Sequence, residues 1–155
     1  KREAVWSALS QSGLVCSMQI RPSGYHVLLE LARRYPEATF AAHHIGLPAL
    51  QKVDDGYFGL LDGASLPNLF VKASGFYAAT ESPWDFRCTR SHDLFERLVE
   101  GLGAGKLMWG SDWPPVGRHL TYRQSLEMLR TFATCLDDES RALVLGDNTA
   151  RVYGI

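Results

Sequence analysis

The chain has 155 residues, 46% of them hydrophobic and 21% charged, which is the balance of a globular domain able to bury a core. Its formal net charge is -1 with both signs intermixed, which excludes the footprint of a nucleic-acid-binding surface and a polybasic membrane patch. No apolar run approaches the ~20 residues of a membrane helix, and the opening Lys1-Arg2-Glu3-Ala4-Val5-Trp6 lacks the apolar core of a signal peptide.

Residues 14–19 read as a strand that Arg21-Pro22 ends, because proline cannot continue a central ladder. Ser23-Gly24 opens a helix to Arg34, with Leu28, Leu29, Leu31 and Ala32 as its apolar stripe, and Tyr35-Pro36 stops it. Residues 39–44 form the second predicted strand, followed by the break Gly46-Leu47-Pro48 and a helix-like stretch over 49–61. The third strand, 69–73, is entered through Pro67-Asn68 and left through Ser74-Gly75. Residues 76–90 have little periodicity and contain Ser82-Pro83-Trp84, the pattern of a long functional loop.

Ser91 is the expected cap of a helix to Leu102, which Gly103 and Gly105 end. Gly101-Leu102-Gly103-Ala104-Gly105 follows a helix rather than a strand, so it is a C-terminal turn and not a phosphate cradle. Residues 106–109 are the fourth strand, 110–118 a loop and 121–136 a helix. Asp137 or Asp138 caps another helix running into Leu145-Gly146, and a short last helix reaches Tyr153.

Alternating short strands and amphipathic helices make a parallel α/β protein, and no linker divides residues 1–155. Four such units are about half of a TIM (β/α)8 barrel of ~250 residues; the alternative is an open four-stranded sheet with helices on both faces. Cys16, Cys88 and Cys135 are odd in number and widely spaced, without a C-x-x-C pair. They read as reduced core thiols in a cytoplasmic protein.

In parallel α/β folds the site lies at the C-terminal ends of the strands. Gln19-Ile20-Arg21, His43-His44, Lys72-Ala73-Ser74-Gly75 and Ser111-Asp112-Trp113 all fall there. Asp112 has the chemistry of a general base or a metal ligand, with a cap or Asx turn before the prolines as the alternative. His43 and His44 are neighbours, so strand alternation is expected to place Phe40, Ala42 and His44 on the interior face and Ala41 and His43 on the other. Lys72 and Arg21 suit an anionic substrate group or a snorkelling surface role. His26, His92 and His119 read as solvated or helix-end residues, Trp109 as core, and Trp84 and Trp113 as walls of a pocket.

Four ordered motifs carry a resemblance: His44-Ile45-Gly46-Leu47-Pro48, Val71-Lys72-Ala73-Ser74-Gly75, Leu107-Met108-Trp109-Gly110-Ser111-Asp112-Trp113-Pro114, and Gly146-Asp147-Asn148-Thr149-Ala150-Arg151-Val152-Tyr153-Gly154. Together they resemble the amidohydrolase-related family, nearest in pattern to its 2-pyrone-4,6-dicarboxylate lactonase-like and sugar-lactonase-like members. The resemblance implies a TIM barrel, with this chain covering roughly strands five to eight. It implies that Asp112 is the eighth-strand aspartate, that His44 is the histidine of an Asp-His-x-Gly-x-Pro pattern, and that Lys72, Ser74 and Gly75 form a Lys-x-Ser-Gly strand. His43 stands where that pattern has Asp.

The family's first-strand His-x-His pair is absent from the chain, and residues 15–20 offer no fifth-strand histidine. The expectation is that strands one to four precede Lys1.

The resemblance implies hydrolysis of a small lactone, with Asp112 and His44 catalytic and Lys72, Arg21, Ser74 and Trp113 contacting substrate. One divalent metal such as zinc would meet His44 and Asp112, although some such lactonases are metal-independent. The alternatives are a metal-dependent decarboxylase of the aminocarboxymuconate-semialdehyde type and an inactive half-barrel. The expected partner is a small molecule, with homo-oligomerisation left open.

Overall fold

The computed structural model describes residues 2–48, 55–80, 82 and 85–155; Trp84 and the first part of the expected helix-like stretch lie outside the described residues. Four strands, β1 Val15–Met18, β2 Thr39–Ala42, β3 Leu69–Ala73 and β4 Leu107–Trp109, form one sheet in the order β1-β2-β3-β4. Every neighbouring pair is parallel, with Cys16 opposite Phe40, Ala41 opposite Phe70 and Lys72 opposite Met108. Because parallel strands cannot be joined by a tight turn, each link runs through a helical crossover. These are α2 Tyr25–Arg34, the 3-10 helix Asp55–Gly63 and α3 Thr89–Leu102. Helix α1 Arg2–Ser12 precedes β1, and α4 Tyr122–Phe132, α5 Asp138–Ala142 and α6 Asn148–Tyr153 follow β4. Among the described residues no helix is long and apolar enough to cross a membrane.

The helices form where apolar residues recur at helical spacing. In α2 the buried stripe is Tyr25, Leu28, Leu29 and Ala32; in α3 it is Ser91, Leu94, Phe95, Leu98 and Leu102. Helix α4 begins with a capping box in which Thr121 accepts from the Gln124 amide and the Gln124 side chain accepts from the Thr121 amide. Asp137, one of the two expected caps, accepts from the Ser140 amide at 2.8 Å.

Helix α1 was not among the expected elements, because residues 2–12 have no strong apolar period. Two expected helix starts are corrected. The helix expected from Ser23 opens instead with a 3-10 turn, Pro22–Gly24. Ser91 is not a cap: α3 begins at Thr89, and the buried Ser91 hydroxyl donates to the Phe76 carbonyl at 2.6 Å.

The sheet has two faces of different character. Phe40, Ala42, Leu69, Val71, Ala73 and Leu107 pack into the main core with the helices, while Ala41, Phe70 and Met108 turn to the opposite face with Val15 and Val152. The alternation expected for β2 is therefore reversed, since Phe40 and Ala42 face the helices. Strand β2 also ends at Ala42, before either histidine.

The Gly146-Asp147-Asn148 motif proves to be architectural. Asn148 is fully buried, and its amide donates to the carbonyls of Ala104 and Leu107, both at 2.8 Å. Its own oxygen accepts from Arg151 at 3.0 Å. These bonds tie α6 to the foot of β4 and satisfy the buried carbonyls there.

Candidate active site at the strand ends

After Ala42 the chain leaves the strand through a left-handed segment. His44, Ile45, Gly46 and Leu47 have φ of 54°, 47°, 82° and 53°. Three of the four are not glycine, and Ile45 is β-branched, so the backbone is strained here. Two buried tyrosines hold it: the Tyr57 hydroxyl donates to the Ile45 carbonyl at 2.7 Å, and the Tyr25 hydroxyl donates to the Gly46 carbonyl. The left-handed turn redirects the His44 ring. Its Nδ1 lies 3.0 Å from Ser74 Oγ, and its Nε2 lies 3.8 Å from Asp112 Oδ1. His44 was the histidine selected by motif, but strand alternation was the wrong reason for it to reach this place.

Asp112 arrives from β4 by a similar device. Its φ is 56°, and its carbonyl accepts from the Val116 amide at 2.9 Å, closing a turn that spans the two prolines. The carboxylate caps no helix. Its Oδ2 accepts from the Tyr77 hydroxyl at 2.6 Å, and its Oδ1 faces His44. Burial, followed by the bond to Asp112, holds the Tyr77 phenol well above its ordinary range, so it is a donor. Both carboxylate oxygens thus meet side chains rather than backbone amides, against the turn-residue alternative. The side chains of His44 and Asp112 each keep 17% exposure, enough for contact with a small molecule.

Ser74 and Gly75 leave β3 beneath this pair. Ser74 is buried and fixes the orientation of the imidazole. Gly75, at φ 66°, lets the backbone pass under the ring.

His43 packs edge-on against His44 with ring centroids 5.2 Å apart. Its buried Nε2 has no partner among the described residues. Burial, then Lys72 and His44, lower its affinity for a proton, while Asp112 opposes them. Lys72 is half-buried on β3, its ammonium 5.7 Å from the Tyr153 ring centroid.

The structure thus brings His44, Ser74 and Asp112 together. Arg21 is exposed at the turn after β1, where its carbonyl accepts from the Gly24 amide, and Trp113 is 61% exposed beside Gly117. Neither makes a hydrogen bond to the His44–Asp112 pair. Two cavities, of about 200 Å³ and about 520 Å³, share no residue with this group.

One participant was missed in the sequence: Tyr77 lay in the segment read only as a loop. His119 is exposed, as read, and stacks on Tyr77 at 4.6 Å with an interplanar angle of 21°. Nothing in their spacing marks this arrangement, because Tyr77 meets Asp112, and His119 meets Tyr77, only through the ordering of two separate loops. His92, also read as solvated or helix-end, instead has both ring nitrogens buried, with Phe76 and Phe132 against the ring.

The family model described as Amidohydrolase matches residues 1–155. The chain belongs to the amidohydrolase family. Among curated proteins it is 26% identical over 159 residues to L-fucono-1,5-lactonase of Burkholderia ambifaria, covering 99% of this chain and 54% of that protein. It therefore spans about half the length of that relative.

Among solved structures, an amidohydrolase from Burkholderia multivorans with bound zinc superimposes with TM-score 0.82 at 22% identity, covering 97% of this chain and 56% of that one. A Pseudomonas putida protein carrying the name 2-pyrone-4,6-dicarboxylic acid hydrolase gives TM-score 0.79 at 22% identity, with 94% and 53% covered. A 5-carboxyvanillate decarboxylase from Sphingomonas paucimobilis lies further off, at TM-score 0.61, 18% identity and 97% and 52% covered. The four parallel strands and their helices are thus half of an amidohydrolase TIM barrel.

Proposed function

We propose that this chain supplies the Asp–His half of the active site of a hydrolase that opens a small cyclic ester. The carrying observation is the facing pair: Asp112 Oδ1 and His44 Nε2 stand 3.8 Å apart, each side chain fixed by a hydroxyl on its far atom. That separation is too long for a direct hydrogen bond. It suits a third oxygen about 2.8 Å from both, the place for an attacking water or a substrate carbonyl.

In this reading the Ser74 hydroxyl donates to His44 Nδ1, so that Nε2 carries the proton and donates to the lactone carbonyl oxygen. Asp112 Oδ1 takes a proton from water as its oxygen bonds to the carbonyl carbon. The tetrahedral oxyanion is stabilised by His44 Nε2–H. As the intermediate collapses, the ring C–O bond breaks and Asp112 returns its proton to the leaving oxygen. The product is an open hydroxy acid. Where the substrate carries an anionic substituent, Lys72 holds it, with Arg21 and Trp113 contacting the substrate at the rim.

His44 Nε2 and Asp112 Oδ1 are donors of the kind that hold a divalent metal such as zinc, which would polarise the substrate carbonyl, but zinc sites use three or four protein donors. Among the described residues no group of three or more His, Cys, Asp or Glu could hold an ion. These two donors alone do not make a zinc site.

The relatives named as lactonases favour ring hydrolysis over decarboxylation, the decarboxylase being the more distant structure. Sugar lactones of the L-fuconolactone type and pyrone dicarboxylates are the first substrates to assay, by acid release in the whole protein. Turnover of a lactone that Asp112→Asn abolishes is the expected result. Decarboxylation without lactone hydrolysis would replace this reading.

A further inference from the structure

We infer that Tyr77 is the positioning residue for Asp112, fastening one carboxylate oxygen so that the other is presented to His44; this rests on the hydrolase reading above. The terminal torsion of an aspartate is soft, with a broad two-fold profile, so a carboxylate at a loop tip holds no fixed orientation by itself. Here the Tyr77 hydroxyl donates to Asp112 Oδ2 at 2.6 Å, the short range of a charge-assisted bond. Oδ1 is the oxygen left to face His44 Nε2.

Tyr77 is itself held from two sides. It sits in the 3-10 turn Phe76–Ala78 directly after β3, and the buried Ser91 hydroxyl fastens that turn by donating to the Phe76 carbonyl at 2.6 Å. Its ring lies nearly parallel to His119, whose centroid is 4.6 Å away. The His119 loop follows the Asp112 turn, with the His119 amide bonded to the Val116 carbonyl at 2.9 Å. The loops after β3 and β4 are therefore joined twice, through the phenol–carboxylate bond and through the stack. Tyr77 touches the base but not the reacting atoms, and that makes it a positioning residue.

The test compares wild type, Asp112→Asn, Tyr77→Phe, His119→Ala and His119→Phe in the whole protein, with kcat, KM and thermal midpoint for each. Tyr77→Phe should lower kcat about 10- to 100-fold, the range for a lost hydrogen bond to a charged group, with KM changed less than about 3-fold. His119→Ala should lower kcat by a smaller factor, and His119→Phe, which keeps an aromatic face, should restore it. A crystal structure of Tyr77→Phe should show the Asp112 carboxylate rotated away from His44, whatever the substrate. Full kcat in Tyr77→Phe while Asp112→Asn is inactive overturns the Tyr77 inference alone. Full activity in both variants overturns the hydrolase reading. An unmoved carboxylate in the Tyr77→Phe structure overturns the inference even without a known substrate.

Discussion

A Cβ added to Gly75 would stand 2.9 Å from Nδ1 of His44 and 3.0 Å from its Cβ. The third-strand glycine is thus the floor on which the His44 ring lies. Its φ of 66° is a second reason for glycine there, since a side chain at that φ is strained. Gly75→Ala should push the ring off Ser74 and cost more than ~1 kcal/mol, since clash and left-handed strain act together. The check is chemical denaturation together with kcat; a variant matching wild type in both would show the contact to be slack.

The strained turn at His44 makes its own prediction. Tyr57→Phe keeps the ring but removes the donor to the Ile45 carbonyl, leaving that buried oxygen without the bond it makes at 2.7 Å. A loss of roughly 1–3 kcal/mol is expected. Faster amide exchange should follow at Gly46 and Leu47, whose amides bond to the carbonyls of His43 and His44. Unchanged exchange at both would mean that Tyr25 alone secures the turn.

Asn148 separates architecture from chemistry within the motifs. Asn148→Ala removes three hydrogen bonds at a fully buried position, so the thermal midpoint should fall clearly, by roughly 2–4 kcal/mol of stability. The variant molecules that remain folded should keep the wild-type kcat. A specific loss of kcat with unchanged stability would move this motif into the active site.

These three positions show how much was legible. Strand–helix alternation and prolines located all four strands, because parallel strands are short apolar runs whatever their surroundings. Asp112 and His44 were legible because each follows an apolar strand within a recognisable motif. Their orientation was not: His44 depends on consecutive left-handed residues, and strand parity describes nothing beyond Ala42. The Tyr77–Asp112 bond and the Tyr77–His119 stack were invisible because contacts between residues 35 or more positions apart leave no local period. Asn148 was quoted as a motif residue, yet its role as a brace for β4 follows only from the buried carbonyls around it.

His92 gives the pH prediction. Burial, the largest cause, pushes its pKa down to about 4 from 6.5, with Arg87 lowering it and Asp93 and Asp85 raising it. Between those values the unfolded chain binds the proton and the folded one does not, so stability rises with pH across the window. The contribution is complete above about pH 6.5 and is lost as pH falls toward about 4. His92→Phe, filling the space beside Phe76 and Phe132, should flatten the fall in thermal midpoint between pH 7 and pH 4.5. Parallel curves for wild type and variant would assign the acid sensitivity elsewhere.

In the proposed reaction the Asp112 carboxylate moves the proton. The direct measurement is kcat of Asp112→Asn in the whole protein, on a lactone that the wild type hydrolyses, with thermal stability measured alongside. Asn keeps the size of Asp and can still accept from Tyr77, but it cannot take a proton from water. General acid–base groups contribute about 10²–10⁴-fold, so kcat should fall at least ~100-fold, with a stability change of about 1 kcal/mol or less. Turnover within a few-fold of wild type would contradict the account and leave Asp112 a residue that only shapes the turn after β4.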